Sequence, residues 1–241
     1  MGIDLNCDMG EAYSIYQCGD DEGIMPFISV ANVACGFHAS DPTVMRQTVA
    51  LAKKHGVRVG AHPSFPDRDG FGRRRMDMGA EELTACIIYQ VGALKAFLDE
   101  QSMPLNHIKP HGALYGAAGN DEQVGRAVAR AAKIFGVPLM GMTGTGHETW
   151  CPTEGVDVLW ETYVDLDYND GGEVIITRHH EAVAANLAVE RAVRAARDGK
   201  VQTQSGKILD ARCDTICVHS ETPGAVDIAR QARDALDTLA A

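Results

Sequence analysis

Four residues able to move protons or bind metal ions stand just beyond short apolar runs. Asp8 ends Ile3-Asp-Leu-Asn-Cys-Asp8, and His38 ends Ser29-Val-Ala-Asn-Val-Ala-Cys-Gly-Phe-His38. His62 ends Val57-Arg-Val-Gly-Ala-His62, and His111 ends His107-Ile-Lys-Pro-His111. Thr215-Ile-Cys-Val-His219 repeats the pattern as a candidate fourth histidine, and Glu11 lies one short turn beyond Asp8. Pro63 cannot donate to a sheet ladder and disfavours helix at the residue before it, so a strand should stop at His62. If these runs are parallel strands, all the tips open on one face, where α/β folds place their sites.

Two chemistries suit such a set. An aspartate with two or three neutral imidazoles can hold zinc or a similar divalent ion and leave a water position open. Without metal, the same groups can act as general acid and base, because histidine titrates near neutrality and a neighbouring carboxylate orients it. A single histidine of this kind is more often satisfied by backbone; three at three strand tips favour a shared site. His55, His107, His147, His179 and His180 lack this context and are expected at the surface.

Cationic residues stand near these positions. Lys109 lies two residues before His111, so in a strand both would share a face and could hold an anion. Arg73 and Arg74, within Arg73-Arg74-Arg75, follow Gly70-Phe-Gly and could clamp a carboxylate or phosphate, against the plainer reading of a solvated charge run. Gly141-Met-Thr-Gly-Thr-Gly146 nearly matches a nucleotide loop, but His147 stands where lysine is required; its amides could still face an anion. Thr222-Pro-Gly is a second candidate anion pocket and more simply a helix cap. No Gly-x-Ser-x-Gly elbow is present, and no cysteine carries a nucleophile signature.

The elements that must position these residues alternate. Strands are predicted at Ile3–Asn6, within Phe27–Cys35, at Val57–Ala61, around Ile108, at Val137–Met140, within Val156–Val164 and at Thr215–Val218. Helices are predicted from Asp41-Pro42 to His55, stopped by Gly56, and over Ala80–Glu100, Asp121–Phe135 and Glu181–Asp198. A short helix should follow Gly146, and a last helix should run from Thr222-Pro223 to the C-terminus. Val201–Leu209 reads as a hairpin about Ser205-Gly206. Pro63–Gly79 is a long aperiodic loop, and such loops are usually functional. About seven βα units without a linker imply one domain over residues 1–241.

At 241 residues the chain matches the usual size of a (β/α) barrel. A formal net charge of −11 argues against nucleic-acid binding. No apolar run approaches membrane-spanning length, and Met1-Gly-Ile-Asp-Leu lacks the features of a signal peptide. The seven cysteines include no CxxC pair; Cys213 and Cys217 read as small buried residues, and a reducing cytoplasm is expected. Association with further copies of itself is left open.

Several stretches, taken together, resemble the LamB/YcsF family. They are Asp4-Leu-Asn-Cys-Asp-Met-Gly-Glu11, Gly19-Asp-Asp-Glu22, Ala31-Asn-Val-Ala-Cys-Gly-Phe-His-Ala39, Val59-Gly-Ala-His-Pro63, Gly70-Phe-Gly-Arg-Arg74, Tyr89-Gln90, Lys109-Pro-His-Gly-Ala-Leu-Tyr115 and Asp214-Thr-Ile-Cys-Val-His219 with Thr222-Pro-Gly-Ala225. The resemblance implies a distorted (β/α) barrel of about seven parallel strands, similar to the glycoside hydrolase/deacetylase type. It implies ATP-dependent opening of the lactam 5-oxoproline to glutamate, with two partner subunits, B and C, activating the substrate. Deacetylases of similar fold suggest Asp8, His62 and His111 as holders of a divalent metal. The implied roles are Asp8 or Glu11 as base, His62 and His111 (with His38) as acid or carbonyl polariser, and Lys109, Arg73, Arg74 and Asn6 in substrate binding. Leu166 departs from the family pattern, which carries arginine there, so a different lactam or amide is an alternative. A stand-alone metal-dependent deacetylase is another.

Overall fold

The first strand shows how side-chain alternation sets the architecture. In β1 (Asp4–Met9), Leu5, Cys7 and Met9 are fully buried in the main hydrophobic core, while Asn6 and Asp8 between them are equally buried yet bond to polar groups of other strands. Successive strand side chains point to opposite faces. One face of β1 therefore meets helices and the other meets a closed interior.

The computed structural model describes residues 2–176 and 181–240; His179 and His180 lie outside them. The strands are β1, β2 (Val30–Ala34), β3 (Arg58–His62), β4 (Leu105–Ile108), β5 (Leu139–Gly141), β6 (Val158–Tyr163), β7 (Lys200–Gln202), β8 (Ile208–Asp210) and β9 (Thr215–His219). Seven of them, β1-β2-β3-β4-β5-β6-β9, close into a parallel barrel, and β7-β8 forms a separate antiparallel hairpin. The helices are α1 (Asp21–Ile24), α2 (Pro42–His55), α3 (Ala80–Glu100), α4 (Gly112–Asn120), α5 (Glu122–Phe135), α6 (His147–Glu154), α7 (Ala185–Asp198) and α8 (Ala225–Ala240). The (β/α) barrel expected from the sequence is thus present.

Local chemistry explains the best-anticipated boundaries. The Asp41 carboxylate accepts from Thr43 and Val44 N–H, Pro42 opens α2, and Gly56 ends it at φ +69°. Asp121 does the same for α5 through Gln123 and Val124. Helix α4 was not anticipated: Gly112, Gly116 and Gly119 mask its propensity, and packing against α5 sustains it. α7 begins at Ala185 rather than Glu181, without a side-chain cap. The last helix begins at Ala225 rather than at Thr222-Pro223, and the Thr222 hydroxyl donates to Asp165.

Register carries the interior. Asp8 pairs with Asn32 of β2 on one side and His219 of β9 on the other, and Asn32 pairs with Gly60 of β3. At Gly60 a Cβ would stand 2.0 Å from the His107 ring. The interior therefore requires glycine there. We expect Gly60→Ala to destabilise the fold by about 2 kcal/mol or more, read by urea denaturation, since overpacking a closed core costs ~1–3 kcal/mol and this imidazole has no free side to move to.

Candidate active site

Polar side chains fill the barrel axis in layers. At the bottom, Asn6 Nδ2 donates to Thr215 Oγ1 (2.8 Å), and Asn32 Nδ2 donates to Asn6 Oδ1 and Asp8 Oδ1 (both 2.8 Å). His107 Nε2 lies 2.7 Å from Asn32 Oδ1, which only accepts, so Nε2 carries the proton. His107 is thus an interior residue and not the surface residue expected; burial, then the Lys109 charge, pushes its pKa down to about 3. Its shared parity with Lys109 on β4 was the available signal. His147 is also buried, with its pKa lowered to about 4 by burial. Its ring covers Gly141, Nδ1 meets Thr145 Oγ1 at 2.7 Å, and the Gly146 N–H bonds to Gly119, so that loop is packed rather than open to an anion. His55 is exposed, as expected.

Above this floor lies one cation between two carboxylates. Lys109 Nζ stands 3.0 Å from Asp8 Oδ1, 3.0 Å from Glu161 Oε1 and 3.0 Å from Cys217 Sγ. Burial alone would discharge the lysine, but Asp8, Cys217 and Glu161 hold its pKa well above the usual value. Burial would likewise raise Asp8, but His62 and Lys109 hold it well below the carboxylate range. Tyr163 donates to Glu161 Oε2 at 2.6 Å.

The mouth carries the histidines. His62 Nδ1 bonds to the Lys109 carbonyl (2.7 Å) and His111 Nε2 to the Phe71 carbonyl (2.8 Å), which places a proton on each of those nitrogens. Their other nitrogens, His62 Nε2 and His111 Nδ1, face each other at 2.9 Å. Glu11 Oε1 lies 3.3 Å from His111 Nδ1 and 2.9 Å from His38 Nε2. Burial, then repulsion from Asp8 and Glu221, raises Glu11 well above its usual pKa; burial, then neighbouring histidines, lowers His38 and His111. The Pro63–Gly79 loop builds this cluster, since Phe71 (φ +53°) supplies the carbonyl and Gly72 (φ +65°) lies against His111 and His38, where a Cβ would clash. On the opposite side, His219 Nδ1 meets Asp165 Oδ1 at 3.1 Å, and His219 Nε2 lies 3.5 Å from Asp8 Oδ2.

A narrow cavity opens on these groups. Asp8, Glu11, His62, Lys109, His111 and His219 line it, with Arg73, Tyr115, Tyr163 and an apolar flank of Leu166, Val174 and Ile176. Arg73 pairs with Glu221 at its rim. Arg74 is two-thirds exposed, bonds to Asp67 and does not line the cavity; Asn6 lies below, in the floor. A larger groove of about 610 Å³ lies between the 12–22 loop and α2, away from the histidines. Sequence reasoning missed Tyr115, Glu161, Tyr163 and Asp165. The Tyr115 hydroxyl is buried, and no atom among the described residues stands in hydrogen-bond geometry to it, although Tyr163 is a polar neighbour.

Among the described residues three donor sets could hold a cation: Glu11, His38, His62 and His111; Asp8, Cys217 and His219; and Glu11, Cys18 and Glu221. The trio Asp8, His62 and His111 is not one of these sets, although Asp8 Oδ2 lies 3.2 Å from His62 Nε2 and His62 Nε2 lies 2.9 Å from His111 Nδ1; the other Asp8 oxygen is taken by Lys109 and Asn32.

The LamB/YcsF family model matches residues 3–240. The chain belongs to the LamB/YcsF family. The 5-oxoprolinase A subunit of Thermus thermophilus is 42% identical over 98% of this chain and 96% of its own length. That of Vibrio cholerae serotype O1 is also 42% identical, over 98% of both chains. The crystal structure of the lactam utilization protein from Thermus thermophilus superposes with a TM-score of 0.92 at 41% identity, covering 100% of this chain and 98% of that one. Among the described residues no helix is long and apolar enough to cross a membrane.

The family's strand-tip motifs therefore end in one shared cavity, and the Asp165–His219 pair beside it offers a direct check. Burial opposes both charges, yet His219 and Thr222 hold Asp165 below its ordinary 3.8, and Asp165 holds His219 above its ordinary 6.5. The His219 contribution to stability is full below pH 6.5 and fades as pH rises through its folded-state pKa. The Asp165 contribution is full above pH 3.8 and fades as pH falls. In Asp165→Asn we expect His219 to titrate at lower pH by imidazole NMR. The stability deficit should be greatest between these two values.

Proposed function

We propose that this chain is the lactam-opening component of an ATP-dependent 5-oxoprolinase. The observation that supports it most is the Asp8 carboxylate, held ionised by Lys109 and facing His62 and His219 in a cavity that Arg73 borders. The relatives are named as one subunit of 5-oxoprolinase, which supports a complex, and we assign ATP consumption and carbonyl activation to partner subunits B and C. The balance is lactam, two waters and ATP to amino acid, ADP and phosphate.

A lactam resists hydrolysis because its nitrogen donates into the carbonyl. Opening it requires a polarised carbonyl, an activated water and a proton for the leaving nitrogen. In our assignment Asp8 takes the proton of the attacking water. His219, kept cationic by Asp165, protonates the ring nitrogen as the C–N bond breaks. Tyr115, whose hydroxyl stays protonated because burial and then Glu161 raise its pKa, donates to the carbonyl oxygen. Arg73 holds the substrate carboxylate. Lys109, enclosed by Asp8, Glu161 and Cys217, sets the field of the site and does not bind substrate.

A second reading, a lactam other than 5-oxoproline, draws on Leu166, which joins Val174 and Ile176 as an apolar wall of the cavity. Incubation with 5-oxoproline, ATP and the partner subunits tests the first reading. Glutamate should form, and a panel of apolar lactams should turn over more slowly; no glutamate under any condition refutes 5-oxoproline as substrate. Asp8→Asn should lower kcat by about 10²–10⁴-fold. Tyr115→Phe should lower kcat about 10²-fold with little change in KM, the loss of one donor to a developing oxyanion. Arg73→Met should act mainly on KM.

A further inference from the structure

We propose that Glu11, His38, His62 and His111 form a binding site for one first-row divalent cation, zinc foremost. The proposal uses the same cavity as the lactam reading but does not depend on the substrate.

His62 Nδ1 and His111 Nε2 each bond to a backbone carbonyl, which can only accept, so in the neutral form of each ring, the form that ligates a metal, the remaining nitrogen presents a lone pair. Those two lone pairs face each other at 2.9 Å. Glu11 Oε1, another acceptor, is 3.3 Å from the His111 nitrogen, and Asp8 Oδ2 is 3.2 Å from the His62 nitrogen. Acceptors gathered this closely repel unless a cation or a shared proton lies among them.

The spacing fits an ion. Four donor atoms, one each from Glu11, His38, His62 and His111, lie within 4.8 Å of one another, and all four residues are buried. A tetrahedron with zinc–nitrogen bonds of about 2.0–2.1 Å has edges of about 3.3 Å. Three of the six edges here are 2.9, 2.9 and 3.3 Å and the rest lie within 4.8 Å, so the donors are close enough to gather round one ion once the His38 ring, now parallel to His111, turns its Nε2 lone pair toward it. The carbonyl bonds of His62 and His111 match the way metal-binding imidazoles are oriented by their second nitrogen. Three imidazoles and one carboxylate suit zinc and its neighbours rather than calcium or magnesium.

The site is closed behind and open in front. His38 stacks parallel on His111 with ring centroids 3.7 Å apart, and Phe71 stands edge-on to both rings at 5.4 and 5.2 Å. Glu11, His62 and His111 line the cavity, while His38 does not. A bound cation that expands to five-coordination would therefore present its fifth position to the ligand side, where it would act as a Lewis acid toward an oxygen.

Elemental analysis of the purified full-length chain, before and after chelation and after reloading with zinc or cobalt(II), tests this. One metal per chain is expected. Chelation should lower Tm by roughly 5–10 °C relative to protein at hundredfold excess of zinc over Kd. Reloaded cobalt should give the d–d bands of a nitrogen–oxygen site without a sulfur-to-cobalt charge-transfer band. Glu11→Gln, which keeps side-chain shape, and His111→Ala should both lose the metal while remaining folded by circular dichroism; His55→Ala, on the exposed face of α2, and Cys217→Ser should keep it. A chain that neither carries nor takes up zinc, cobalt or manganese overturns the proposal, as does metal that survives Glu11→Gln or leaves with Cys217→Ser. Glutamate formation by metal-free protein would overturn a catalytic use of the ion while leaving the 5-oxoprolinase reading intact, so the two fail separately.

Discussion

One ammonium group at the barrel axis sets the terms for everything around it. Lys109 is almost wholly buried between Asp8 and Glu161, and a charge so placed survives only with close partners of opposite sign. Two carboxylates on one cation leave the centre one negative charge in excess, which is eased by the Tyr163 hydroxyl on Glu161 and by His62 and His219 beside Asp8. The Asn6–Asn32–His107 layer below supplies the remaining donors. Remove the lysine and Asp8 loses one of the charges that hold its pKa down, while Glu161 loses its cationic partner.

The barrel makes this arrangement possible because parallel strands deliver their C-terminal ends to one rim. Asp8, His62, Lys109, Glu161 and His219 come from, or directly follow, five different strands and meet within a few ångströms. The polarity of the axis has a cost, since each buried polar group must find a partner. Most do. Among the described residues a few do not, and one of them, Tyr115 Oη, lines the cavity, where a ligand can change its surroundings.

The Pro63–Gly79 loop is the second determinant. It has no periodicity, yet it fixes His111 through the Phe71 carbonyl, brings Gly72 against two imidazoles and carries Arg73 to the cavity rim. Adjacent arginines part company there: Arg73 turns inward toward Glu221, while Arg74 turns outward to Asp67. Which of two neighbouring guanidiniums enters a site depends on one positive-φ turn.

The chain's order of elements and the identity of its strand-tip residues were legible in the sequence, because alternation, Asp caps and Gly stops are local signals. α2 and α3 were read nearly to the residue, and Asp8, Glu11, His62, His111 and His219 were named as a group. Residues whose roles arise across the barrel were not legible: His107 and His147 read as surface histidines, and Glu161, Tyr163 and Asp165 gave no signal at all. The partners of His107, Glu161 and Asp165 lie dozens of residues away, so only strand register decides whom they meet. The same holds for the donor set at the mouth. Sequence spacing grouped Asp8 with His62 and His111; closing the barrel tied one Asp8 oxygen to Lys109, left the other beside His62 and His219, and brought Glu11 in beside His111 and His38. Local sequence determined which groups reach the rim; the tertiary structure decided which lone pair faces which, because that depends on distances across the barrel that no local rule encodes.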